Sequence, residues 1–197
     1  MDADGRELVD PKGRAAYIQN KDGSYAFTKY ATQDIKTFVT ELAKNDAGIE
    51  TLTGLVKTAT KVGIEITTDR GEEGSAEAEG QTIATNAFGV EETMKDPNTG
   101  EEVYKNAQIT IYTGTHADEV QSGKGSYAKS SLGKFINGIG THEGRHVLNN
   151  LQAARKAQEA SKASGASGEE AKAARKAAIE VVPNAEEKKA NDSYPTN

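Results

Sequence analysis

Apolar positions along the chain recur with two different periods, and the switches between them divide it into elements. Ile35, Phe38, Val39 and Leu42 stand at i, i+3, i+4 and i+7, which predicts an amphipathic helix opened by Thr32 as its N-cap. Ile49, Leu52, Leu55 and Val56 repeat that spacing in a second helix after Asn45-Asp46. Val62 to Thr67 alternates apolar with polar and reads as a strand, as does Ala107 to Tyr112, with a further strand over Gln81 to Phe88. Helical spacing returns from about Ser130 with Leu132, Phe135, Ile136 and Ile139, and runs on through Val147, Leu148 and Leu151 into Ala-rich sequence. Ser164 to Gly168 breaks it. A last long helix covers Glu169 to Val182, and Pro183 is expected to end it before a final turn or two from Asn184.

The connections carry their own signals. Asp22-Gly23 between Tyr17-Ile18 and Tyr25-Ala26-Phe27 predicts a small hairpin, and Asp96 to Gly100 a tight turn. Residues 69–80 read as a solvated Glu- and Gly-rich connection, and residues 114–128 as a Gly/Ser loop. Helices, then strands, then helices make an α+β plan, with residues 1–28 as a turn-rich N-terminal segment and residues 29–197 as the domain.

Composition narrows the chemistry. A length of 197 residues suits one domain, and an apolar share of 35% without Trp gives it a lean core. A net charge of −6 offers no basic field to nucleic acid or an anionic membrane. No apolar run approaches the ~20 residues of a membrane-spanning helix, and the acidic, polar start is no secretory signal. Without cysteine there are no disulfides, thiolate metal sites or thiol nucleophile. Catalysis would have to come from His, Asp, Glu, Ser and Tyr.

The stretch Thr141-His142-Glu143-Gly144-Arg145-His146 is where that chemistry concentrates. Two histidines at i and i+4 project from one helical face about a turn apart, so both imidazoles can reach one divalent ion at ~2.0–2.1 Å. Glu143 points about 100° round the helix, where it neighbours the ion and can accept a proton from water. The bland reading is a helix with two surface histidines and an unrelated acid.

At these residues the chain resembles the zincin metallopeptidases of the gluzincin type, whose active-site helix carries His-Glu-x-x-His. The resemblance implies a small mixed sheet packed on that helix and Zn²⁺ held by His142 and His146. It also implies Glu143 as the general base that passes a proton from water to the leaving amine of a protein or peptide substrate. Gly144-Arg145 departs from the family's middle pair, whose first member is usually apolar. Glycine at 138, 140 and 144 fits a helix against which another backbone presses, with Arg145 facing solvent.

Zincins need a third protein ligand. Gln152 stands six residues after His146, where some members carry His. His116 precedes the motif, whereas the family's third ligand follows it. It is therefore read as an oxyanion donor, or as a loop histidine beside Asp118. Glu169 and Glu170 open a helix, Glu170 as the acid of a Ser167-x-x-Glu capping box, and Glu180, four after Lys176, reads as half of an exposed helix pair. Glu186 and Glu187 follow Pro183. Glu187-Lys188-Lys189-Ala190-Asn191 resembles the E-x-x-A-N segment that supplies the third ligand in bacterial metallopeptidases related to phage-repressor-cleaving and radiation-response regulators. There the Ala packs beneath the active-site helix. This resemblance selects Glu187, with Glu186, Glu170 and Glu169 left open.

Tyr194, seven residues after Glu187, is a second oxyanion donor by position, alongside Tyr112 and Tyr127. Asn149 and Asn150 are placed to orient His146. An extended peptide could add to the edge of the strand at 107–112. Asn86-Ala87-Phe88 is similar to a substrate-edge segment of thermolysin-like enzymes. The opening Asp2-Ala3-Asp4-Gly5-Arg6 through Asp10 resembles the segment that ends the core of bacterial RHS-repeat proteins, after which a toxin or effector domain usually follows. That implies secretion or surface delivery within a larger bacterial protein, and an immunity protein as partner. A reading from another class is a non-catalytic interaction module on a zincin scaffold that has lost or repurposed its metal.

Overall fold

The computed structural model describes residues 7–20, 22–73, 76–84 and 90–195. The RHS-like residues Asp2 to Arg6 and the Asn86-Ala87-Phe88 segment lie outside the described residues. In chain order the elements are β1 (Glu7–Val9), β2 (Ala15–Gln19), β3 (Tyr25–Phe27), α1 (Gln33–Leu42), α2 (Asp46–Lys57) and β4 (Lys61–Thr67). Then come β5 (Gly71–Glu73), β6 (Ala76–Ala78), β7 (Gly80–Ile83), β8 (Thr93–Lys95), β9 (Glu102–Tyr104) and β10 (Asn106–Tyr112). Three helices finish the chain: α3 (Thr113–Ser122), α4 (Leu132–Ser164) and α5 (Gly168–Ser193).

The fold is α+β, as the order of periodicities predicts. A six-stranded mixed sheet runs β3-β2-β1-β4-β10-β7. β4 pairs parallel with both β1 and β10, while β7 lies antiparallel on β10 with Thr82 opposite Ile109. The residues expected as a separate N-terminal segment supply β1, β2 and β3 to this same sheet. The Asp22-Gly23 hairpin forms, with Gly23 at φ +85°, where glycine avoids a Cβ clash.

One sheet face is covered by α1, α2 and α4. Leu8, Val62, Ile64, Ile109 and Ile111 from the strands meet Phe38, Leu42, Leu55, Phe135 and Ile139 from the helices. Thr32 caps α1 as expected, accepting from the Ile35 amide, Asn45 caps α2 by accepting from the Gly48 amide, and Ser167 with Glu170 forms the expected capping box of α5. Among the described residues no helix is long and apolar enough to cross a membrane.

Further expectations need correction. The strand at 107–112 is interior, flanked by β4 and β7, and the strand at that end of the sheet is β7. Residues 69–80 hold the β5–β6 hairpin. Residues 113–122 form α3 and not a loop; its inward face is polar (Thr115, His116, Glu119) and so gives no apolar period to read. Pro183 does not end α5, which continues to Ser193 with the proline inside it.

The glycines of α4 do mark close approaches, but of side chains. A Cβ on Gly144 would lie 2.5 Å from Thr51 Cγ2, and one on Gly140 would lie 2.7 Å from Leu42 Cδ1. Arg145 does not face solvent: only 11% of its side chain is exposed, and it reaches Glu50 at 2.9 Å and Glu186 at 3.6 Å, tying α4 to α2 and α5. A buried amide pair joins the same helices. Asn45 Nδ2 donates to Asn137 Oδ1 (2.7 Å) and to the Ala190 carbonyl (2.9 Å), while Asn137 Nδ2 donates to the Glu41 carbonyl (2.6 Å). Ala190 is fully buried there.

Candidate metal centre

α4 passes under β7, and α5 folds back along α4 through Gly165, which takes the left-handed conformation at φ +69°. Between β7, α4 and α5 opens a cleft of about 350 Å³, lined among others by Glu79, Thr82, His142, Glu143, His146, Asn150, Glu180 and Glu187. His142, Glu143 and His146 form a group that could hold a metal ion.

The two imidazoles converge on it. His142 Nε2 and His146 Nε2 are 2.9 Å apart, with ring centroids at 4.7 Å. Asn150 Oδ1 lies 2.9 Å from His146 Nδ1, so the amide accepts from Nδ1–H and leaves the Nε2 lone pair directed into the cleft. Asn149 instead donates to the Arg145 carbonyl and takes no part.

Glu180 supplies the carboxylate nearest both nitrogens. Its Oε2 is 3.5 Å from His142 Nε2 and 3.6 Å from His146 Nε2. Glu187 approaches the other side of the first ring, with Oε2 2.9 Å from His142 Nδ1 but outside the N–H direction of a good hydrogen bond. Its second oxygen accepts from Tyr127 Oη at 2.7 Å, and Tyr127 in turn accepts from Asn191 Nδ2 at 2.6 Å. By its spacing from Lys176, Glu180 reads as a surface acid. The structure brings it to the imidazole pair and gives Glu187 the place of a neighbour to His142.

Glu143 sits beside them. Glu143 is buried, and the Thr82 hydroxyl lies 2.8 Å from its Oε2. Burial pushes its carboxyl up from the ordinary range, against the pull of both imidazoles and Thr82. For Glu187, burial acts upward too, but contacts with His142 and Tyr127 outweigh it and hold this carboxyl below the usual value. His142 is disfavoured as a cation by burial, yet the carboxylates of Glu187, Glu143 and Glu180 raise its pKa on balance.

Glu79 is a titrating group the sequence did not single out. Burial, then a hydrogen bond and repulsion from Glu119, push its carboxyl up to about 8. A carboxyl that binds its proton more tightly folded than unfolded stabilises the fold below its ordinary pKa, near 4.5. It loses that contribution as pH rises toward the folded value. The metal-free protein should therefore weaken between about pH 4.5 and pH 8, and Glu79→Gln should flatten that decline. Urea midpoints across this range check it.

Other expected site residues lie elsewhere. His116 is buried on α3, with Nε2 3.2 Å from the Ser130 carbonyl and its ring 4.7 Å from that of Phe135. It does not line the cleft, and Asp118 pairs with Arg70 instead of with this histidine. Tyr194 Oη donates to Glu41 Oε2 at 2.7 Å and accepts from Lys44 Nζ at 2.9 Å, which holds it at the end of α1. Neither can serve a reaction in the cleft from these positions. Glu186 is engaged with Lys189 and Arg145, Glu170 caps α5, and Glu169 is exposed in the first turn of that helix.

The donor set suits a divalent cation. Two nitrogens bound to one tetrahedral zinc at ~2.0–2.1 Å stand ~3.3 Å apart, so the Nε2 pair needs to open by only a few tenths of an ångström. The lining also carries four glutamates and neither Lys nor Arg among the described residues. No family model, curated protein or solved structure matches the chain.

Proposed function

We propose that the chain is a zinc-dependent peptidase with a zincin-like fold, in which His142, His146 and Glu180 hold the ion and Glu143 is the general base. The observation that carries this reading is the meeting of both Nε2 atoms and the Glu180 carboxylate at one point beside a buried glutamate. Bound zinc would supply a Lewis acid that polarises a peptide carbonyl and lowers the pKa of water. The protein's own groups do the rest. Glu143 accepts the proton and returns it to the departing amine. Asn150 fixes His146, and Glu187, braced by Tyr127 and Asn191, steadies His142. An extended peptide would lie along β7, the end strand of the sheet, whose residues 80–82 line the cleft.

The RHS-like opening supports delivery as an effector domain of a larger bacterial protein, countered by an immunity protein. The reading is tested by metal analysis of purified protein together with hydrolysis of an unfolded protein substrate. One equivalent of zinc and cleavage are expected, both lost in His146→Ala. Zinc without cleavage of any unfolded protein would favour the non-catalytic module. No zinc at all would remove both.

A further inference from the structure

Glu143 is held from outside its own helix. Gly80 and Thr82 stand two apart on β7 and so share a face of the strand, and both meet this glutamate. A Cβ on Gly80 would lie 3.0 Å from Glu143 Cγ and 3.1 Å from its Oε1, besides colliding with Ile139, so the missing side chain is the space the carboxylate occupies. The Thr82 hydroxyl stands 2.8 Å from Glu143 Oε2 and 3.0 Å from the Glu143 backbone carbonyl. One hydroxyl proton serves one acceptor well at a time, and a carboxylate is the stronger of the two. When the carboxylate turns away or takes a proton, the carbonyl remains as an acceptor, and Thr82 stays anchored to α4.

We propose that Thr82 is a positioning residue that fixes the Glu143 carboxylate against β7, in the room left by Gly80, so that the strand offered to an extended substrate also sets the aim of the base. This rests on the peptidase reading for its chemical consequence, but the contact itself can be tested without turnover. The Thr82 hydroxyl bonds to Glu143, and its strand register is set by β10, so its role toward Glu143 is separable from metal binding.

The test uses Thr82→Val, which keeps the shape and removes the donor, and Thr82→Ser, which restores the donor. In metal-free protein the Glu143 side-chain carboxyl ¹³C resonance, assigned by its loss in Glu143→Gln, is expected to shift in Thr82→Val and return in Thr82→Ser. In zinc-loaded protein, Thr82→Val should lower kcat by about tenfold to a hundredfold with KM within twofold and zinc stoichiometry unchanged, and Thr82→Ser should recover most of the rate. An unmoved resonance overturns the proposal, and so does a Ser variant as impaired as the Val variant. A loss that appears in KM instead of kcat overturns it as well. If the parent protein hydrolyses nothing, the peptidase reading fails, and the resonance alone decides whether Thr82 holds Glu143.

Discussion

Glu143→Gln is expected to bind one equivalent of zinc and to hydrolyse peptide substrate about 10²–10⁴-fold more slowly than the parent protein. The substitution keeps the length and shape of the side chain, and an amide oxygen can still accept from Thr82. Burial among Thr82, Ile139 and the imidazoles leaves the side chain little freedom to turn elsewhere. What disappears is the ability to accept and return a proton, so the loss should fall in kcat. Steady-state kinetics beside metal analysis of the same preparation decide it. A variant that retains the parent's rate would remove Glu143 from the mechanism, and one that loses its zinc would make Glu143 a ligand.

The largest effect on the metal itself is expected from Glu180→Gln. Glu180 Oε2 is the carboxylate oxygen that stands within 3.6 Å of both Nε2 atoms, and replacing it would remove the charged ligand proposed above. Glu187 touches His142 only through Nδ1, the place of a residue that orients a ligand, and such partners typically cost 10–100-fold in affinity when replaced. Zinc affinity measured by competition with a chelator should therefore fall by about 10–100-fold in Glu187→Gln and well beyond that in Glu180→Gln. The opposite ranking would restore Glu187 as third ligand and make Glu180 a rim acid.

The contrast between those two glutamates shows where the sequence is legible. His142, Glu143 and His146 sit on one helical segment, so spacing alone places them together. The caps at Thr32 and Ser167 are legible for the same reason, since each acts on an amide three residues away. Glu180 was not readable because a partner four residues back explains it equally well, and its real neighbours depend on how α5 folds against α4. β10 shows the same limit: its alternation announces a strand but says nothing of which strands flank it. Thr82, Glu79 and Glu119 carry no motif and gain meaning only when β7 and α3 are set beside α4. α3 itself was hidden because its inward face is polar.

Pro183 stands between the two turns of α5 that carry Glu180 and Glu187. Lacking an amide proton, it leaves the carbonyl of Ile179, a cleft residue, without the rung a helix normally gives it. The C-terminal part of α5 is clamped by Ala190 and by the Tyr127–Asn191 bond, while the part bearing Glu180 joins it across that missing rung. A helix bends most easily at such a missing rung, and here it falls three residues after Glu180 and four before Glu187, so the two carboxylates that face the imidazoles from α5 stand on either side of it.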